Sequence, residues 1–262
     1  MSPEFWAQLT IAGFAIVAIA LVTRDILRWK IGWRVWFLYF LNRTYGAFFF
    51  HPRFNRRCPF PDYGPGLIIS NHRSPVDPLM IWYNHHLGSR SGRIRIIHFM
   101  MAREYMDVKG VGWITRSVKV IPAERNGRDF APAREALRLL KEGELVALFP
   151  EGRLNTGTDL LEANTGIAWL ALRANVPVYP VYIHNSPQGG MVKSFCTFSR
   201  VRVSYGDPFD LSEYSGQRKN QQLLRKVTDF MMQKIADLGG VNITSPVKQE
   251  TQPTLKLQRT TG

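Results

Sequence analysis

Leu67-Ile68-Ile69-Ser70-Asn71-His72-Arg73-Ser74-Pro75-Val76-Asp77-Pro78-Leu79-Met80-Ile81-Trp82 reads as a buried strand, a short loop and the start of a helix. The apolar run Leu67–Ser70 is strand-sized, and the loop that follows carries a histidine with a carboxylate five residues on. Two helix starts compete. Ser74 can cap with Pro75 at the first helical position and Asp77 at the third, a capping-box pattern. Alternatively Asp77 is itself the cap, with Pro78 first in the helix. Either places Asp77 in the first turn, near the chain that carries His72. A neutral imidazole held by a carboxylate is a general base at neutral pH. The plainer alternative is a capping aspartate beside a loop histidine, and these residues alone leave both open.

Downstream, short apolar runs alternate with helical patterns. Strand candidates are 67–70, 95–101, 118–121, 145–149, 178–183 and 201–205. Several are continuously apolar, which suits a sheet covered on both faces. Between two of them Asp129 can cap a helix, Pro132 falls in its first turn, and Ala133, Ala136, Leu137 and Leu140 keep i, i+3, i+4, i+7 spacing before Gly143. Further helices are expected over 164–174 and 217–238. The fold class expected is α/β: a mixed, largely parallel sheet flanked by helices, with an N-terminal membrane-anchoring helical segment.

Other strand ends carry chemistry. Phe149-Pro150-Glu151-Gly152-Arg153 follows the strand candidate 145–149. In open parallel sheets, sites gather at the carboxyl ends of strands. Gly152 permits close backbone approach to a ligand, and Arg153 offers a donor fork suited to phosphate. Arg125 follows Val118–Ile121 in Val120-Ile121-Pro122-Ala123-Glu124-Arg125. For both arginines the bland alternative is a solvated charge. Val176-Pro177-Val178-Tyr179-Pro180-Val181 reads as a core strand with proline at its start, or as the wall of an apolar acyl site.

The amino-terminal segment separates membrane from nucleic acid as the partner of this basic chain, whose formal net charge is +14. Phe5–Val22 is an uncharged run of 18 residues, roughly 27 Å as a helix and close to a hydrocarbon core. Arg24, Arg28, Lys30 and Arg34 follow it, while only Glu4 precedes it. That asymmetry puts the following domain on the cytoplasmic face. Residues 31–50 hold nine aromatics interleaved with Arg34 and Arg43, a pattern for the headgroup boundary, with a core helix packed on the soluble domain as its rival. Aromatics massed beside an apolar run suit lipid better than stacked bases, so no nucleic-acid partner is expected. Pro59–Gly66 is a dense turn cluster. The division expected is residues 1–60 as membrane-anchoring helices, 61–238 as an α/β domain, and 239–262 as a disordered polar tail.

The chain has two cysteines and no C-x-x-C pair, G-x-S-x-G elbow or P-loop. Adjacent His85 and His86 point about 100° apart on a helix and make poor joint metal ligands. No metal or bound cofactor is expected.

Taken together, the blocks around His72, Arg125, Glu151 and Val176–Val181 resemble the glycerophospholipid acyltransferase family, and within it the 1-acyl-glycerol-3-phosphate acyltransferases. The resemblance runs from about residue 66 to 211. Asn71, His72 and Asp77 match N-H-x4-D, and Phe149–Gly152 match F-P-E-G. Arg153 departs from the pattern, which has its arginine one position later. The resemblance implies that His72 and Asp77 are the catalytic base and its partner, that Arg125 and Arg153 hold the acceptor's phosphate, and that Asn71, Glu151 and Gly152 shape the site. It implies acyl transfer from acyl-CoA or acyl carrier protein to a lysophospholipid at a membrane. Another acceptor, such as glycerol-3-phosphate, and a catalytically silent lipid-binding module on the same fold are the rival readings.

Overall fold

Leu67, Ile68 and Ile69 are all fully buried, and strand β2 (Gly66–Ser70) is the middle strand of a seven-stranded sheet. The structure, a computed structural model, describes residues 2–29, 31–85, 89–124, 130–214 and 216–244. The strands flanking β2 are β5 (Leu145–Leu148) and β7 (Val178–His184). Both run parallel to β2, with Ile68 opposite Ala147 on one side and Tyr179 on the other. Beyond β5 lie β3 (Ile97–Ala102) and the edge strand β4 (Ile121–Ala123), also parallel. Beyond β7 lie β8 (Arg202–Tyr205), antiparallel to β7, and β1 (Arg53–Phe54) at the other edge. The sheet is thus mixed and mostly parallel, the class read from the sequence.

Alternate residues of the strands feed two cores. Leu67, Ile69, Val146 and Val178 pack with helices α5 (Ala131–Lys141), α6 (Gly166–Ala174) and α8 (Gln221–Gly239). Ile68, Leu145, Ala147 and Val181 pack on the other face with α2 (Trp33–Phe49) and α3 (Asp77–Tyr83). Each fully buried aliphatic side chain contributes about 1.5–3 kcal/mol by leaving water, so a strand buried on both faces holds the middle of the sheet firmly. Helix α4 (Val111–Ser117) precedes β4, in a stretch for which the sequence pattern predicts no element. The strand expected from Val118 therefore starts only at Ile121.

The expected anchor, residues 1–60, divides in two. Helix α1 (Pro3–Trp29) has Phe5, Ile11, Phe14 and Ile19 exposed. Its stretch Pro3–Arg28, of mean hydropathy 2.1, is long and apolar enough to cross a membrane. Helix α2 instead belongs to the α/β body. Asn42 Nδ2 donates to the Leu79 carbonyl at 3.0 Å, and Tyr39 and Arg43 both donate to that of Tyr83. Gly46 lets the Tyr83 ring lie against the helix; a Cβ there would stand 2.8 Å from it. Residues 53–54 complete the sheet edge. The aromatic helix is thus apolar on two faces: Val35, Leu38 and Tyr39 inward, Trp33, Phe37, Phe40, Leu41 and Phe48 outward. The core reading of this segment describes its inward face.

At the other end, Asn220 caps α8 by accepting from Leu223 N at 2.8 Å, and left-handed Gly240 closes it. The tail expected to be disordered from 239 continues into β9 (Ile243–Thr244), which pairs with β6 (Leu160–Leu161). Residues 245–262 lie outside the described residues, as do Asp129, the expected cap of α5, and His86.

Candidate active site

Three adjacent parallel strands end together, and each delivers a loop to the same place. Past the end of β2, the Asn71 side chain continues the ladder. Its Nδ2 donates to Ile183 O at 3.0 Å, and its Oδ1 accepts from Ile183 N at 2.8 Å. Asn71 thereby mimics a backbone peptide and fixes where His72 leaves the sheet.

His72 Nδ1 lies 3.0 Å from Asp77 Oδ2. The same oxygen accepts from the backbone nitrogens of Arg73 at 2.7 Å and Ser74 at 2.8 Å. The other carboxylate oxygen, Oδ1, accepts from Ser186 Oγ at 2.5 Å. Asp77 is 0% exposed, so these donors stand in for its water shell. The contact to Ser74 N is half of the capping box. The other half is replaced: Asp77 N donates to the Ser74 carbonyl at 3.1 Å, while Ser74 Oγ donates to Pro187 O at 2.6 Å. The His72 side chain is 20% exposed and its ring stacks on Phe149, centroids 4.0 Å apart. Its Nε2 makes no hydrogen bond to the described residues. With Nδ1 engaged by the carboxylate, the proton sits on Nδ1 and Nε2 is left as the basic atom. Such a pair can take a proton from a hydroxyl and hold it.

Glu151 sits at the end of β5 and is buried. Its Oε1 accepts from His72 N at 3.0 Å; its Oε2 accepts from Leu161 N at 3.0 Å and from Asn155 Nδ2 at 2.6 Å. Burial raises the carboxyl above the ordinary glutamate range, against the pull of those donors. Asn155 N in turn donates to His72 O at 2.7 Å. Glu151 therefore ties the histidine's backbone to the loop after β5. Gly152 adopts φ 66°, where a side chain would be strained, and Arg153 is exposed on the same turn. Arg125 lies outside the described residues. The strand before it, β4, is separated from β2 by β3 and β5.

Sequence reasoning missed Ser186, Pro187, Asn155 and Arg73. The Arg73 guanidinium donates to Thr158 O and, at 3.0 Å, to Tyr182 OH, linking the loop after β5 to β7. Asn185-Ser186-Pro187 follows a strand candidate, so the strand-end rule applied to Glu151 points to it equally. Among the described residues no three His, Cys, Asp or Glu side chains gather as metal ligands. Cys58, in the loop after β1, is buried, and burial pushes its thiol up to about 12.

Comparison with known proteins identifies the family. Residues 51–184 match the Acyltransferase family, a span containing β1 through β7 and both members of the His–Asp pair. The chain belongs to the acyltransferase family. Its relatives include the 1-acyl-sn-glycerol-3-phosphate acyltransferases of Bacillus subtilis and Salmonella typhimurium. The first is 24% identical over 142 residues, which cover 54% of this chain and 68% of that protein. The second is 30% identical over 129 residues, covering 48% and 51%. The acyltransferase also shares its fold with the crystal structure of the 1-acyl-sn-glycerophosphate (LPA) acyltransferase of Thermotoga maritima. That match has a TM-score of 0.56 at 21% identity, over 85% of this chain and 95% of the other. The chain is accordingly an acyltransferase enzyme.

Proposed function

We propose that this acyltransferase moves a fatty acyl group from an acyl thioester, on CoA or acyl carrier protein, to the free hydroxyl of 1-acyl-glycerol-3-phosphate. The observation that carries the reading is the His72–Asp77 pair, with Nδ1 held at 3.0 Å and Nε2 left to the substrate. The names of the relatives supply the acceptor. His72 Nε2 takes the hydroxyl proton as the oxygen attacks the thioester carbonyl. The tetrahedral intermediate then expels the thiolate, which takes the proton from the imidazolium. Asp77 holds the ring and stabilises that cation. No side chain is acylated in this scheme, and no cofactor takes part. Arg153 and Arg125 hold the acceptor's phosphate, as forked donors suit a phosphate. Glu151 and Asn71 act at one remove, by fixing the backbone of residue 72, and Gly152 keeps the approach free of a side chain.

Helix α1 anchors the enzyme in the membrane, and Arg24, Arg28, Lys30 and Arg34 keep the catalytic body on the cytoplasmic side. The acceptor and product both partition into lipid, so a site at the headgroup plane meets them there. The position of Arg153, directly after Gly152, favours a second reading in which the acceptor is another lysolipid or glycerol-3-phosphate.

The test is an assay of detergent-solubilised full-length protein with lysophosphatidic acid and each thioester donor, beside His72→Ala. Phosphatidic acid from the wild type alone is the expected result. No product with either donor, but acylation of glycerol-3-phosphate, would transfer the reading to the second acceptor. Arg153→Ala should weaken phosphate-bearing acceptors by about 1.5–3 kcal/mol and spare phosphate-free ones.

A further inference from the structure

The chain leaving β7 serves the His–Asp pair and then turns outward. Ser186 and Pro187 bind Asp77 and Ser74. A few residues on, helix α7 (Met191–Cys196) and Phe198 lie beyond the span matched to the family, residues 51–184. Val192 is 78% exposed and Phe198 60%. Phe198 stacks on Phe49, centroids 4.7 Å apart, and meets Phe48, itself 64% exposed, edge-on at 5.5 Å. Ser199 N and Val201 N donate to the carbonyls of Phe49 and Phe50, both at 3.0 Å. The aromatic surface is therefore continuous with the outward face of α2. It also lies at the active-site end of the sheet, because Arg202, at the start of β8, is paired with His184 at the carboxyl end of β7.

The rim of this surface is basic. Arg53, Lys193, Arg200 and Arg202 are exposed, and none forms an ion pair among the described residues. Arg53 and Arg202 are register partners across β1 and β8, a like-charge juxtaposition, and the Arg202 guanidinium also donates to His184 Nδ1 at 3.2 Å. Bulky exposed apolar side chains with a cationic border make an interfacial lipid-binding surface.

We propose that Phe48, Val192 and Phe198 form a lipid-contact lip, bordered by Arg53, Lys193, Arg200 and Arg202, that seats the mouth of the His72–Asp77 site on an anionic bilayer. The inference rests on the membrane reading above and adds to α1 an attachment made by the catalytic body itself. Continuity with the outward face of α2, which adds Phe37, Phe40 and Leu41, favours a bilayer over an acidic protein as the occupant.

The experiment uses the full chain in mixed phosphatidylcholine–phosphatidylglycerol vesicles. Nitroxide labels are placed singly at Ile11→Cys, Val192→Cys, Phe198→Cys and Gln222→Cys in a Cys196→Ser background. At 192 and 198, oxygen should relax the label more than a water-soluble nickel chelate does, as at 11, whereas at 222 the order should reverse. Labels at 192 and 198 that behave like 222 while 11 stays in lipid would overturn the lip and leave the anchor standing; the basic rim would then point to an acidic protein. A label at 11 that is also aqueous would overturn both. A Val192→Asp, Phe198→Asp double variant should lose turnover several-fold on acceptor embedded in vesicles and keep it on the same acceptor in detergent micelles. Equal loss in the two formats would count against the lip.

Discussion

His72 Nδ1 stands 3.0 Å from an Asp77 oxygen that also accepts from two backbone nitrogens, so the carboxylate that orients the ring also shapes the loop. The two residues are therefore unequal under mutation. His72→Ala should lower turnover by about 10²–10⁴ with little change in melting temperature. Asp77→Ala should lose activity and also about 1–3 kcal/mol of stability or more, because buried donors are left unpaired. Urea unfolding beside kinetics separates them, and equal stability of the two variants would contradict the shared role.

Ser186→Ala removes the donor to Asp77 Oδ1 and leaves a buried carboxylate oxygen short of one bond. The expected cost is about 1–3 kcal/mol, with a fall in kcat larger than any rise in KM. Ser186→Thr should restore part of both. An unchanged kcat in the alanine variant would remove Ser186 as a positioning residue.

Truncation distinguishes the two N-terminal helices. Without residues 1–29 the protein should still unfold cooperatively, while its attachment to vesicles weakens. Without residues 1–60 it should lose cooperative unfolding, because α2 fills the core beside α3 and β1 closes the sheet edge. A stable, cooperative 61–262 fragment would contradict that packing.

Gly46→Val tests the same contact at one atom. A Cβ there meets the Tyr83 ring at 2.8 Å, and overpacking of this kind costs about 1–3 kcal/mol. Chemical denaturation would read it, and a neutral result would mean that α2 and α3 are less closely docked than described.

Acid should destabilise the fold through His184. Burial first, then Arg202 and Arg73, bring its pKa down from 6.5 to about 4. Between those values the unfolded chain binds more protons than the folded one, so stability rises with pH across the window and is lost as pH falls through it. His184→Gln should flatten that slope in urea midpoints compared at about pH 4.5 and pH 7. An identical slope would place its source elsewhere, buried His98 being the next group held low by burial.

Much of this molecule could be read before its structure was known, and the gaps have physical causes. Continuous apolar runs such as Leu67–Ile69 admit few alternatives to a buried strand, and the residues at their ends follow from that. His72, Asp77, Asn71 and Glu151 came together because each lies at or just past the end of β2 or β5. Ser186 was overlooked because a serine in a loop has no pattern until something shows what it faces. Helix α2 defeated a single reading because its aromatics point two ways, and aromatic content does not encode direction. The fraying expected from Gly239 was misplaced because Ile243 and Thr244 gain their partners from Leu160 and Leu161, far away in sequence.

The way Asp77 is held also bears on how this loop can vary in length. Two of its donors are the peptide nitrogens of residues 73 and 74, which lie inside the short arc between His72 and Asp77. The arc is thus measured against itself. Inserting or deleting one residue there would misplace the imidazole and both peptides at once. The residue count of the arc is therefore fixed by the carboxylate it wraps, and its Ser74 and Arg73 side chains tie it to the loops after β7 and β5 as well.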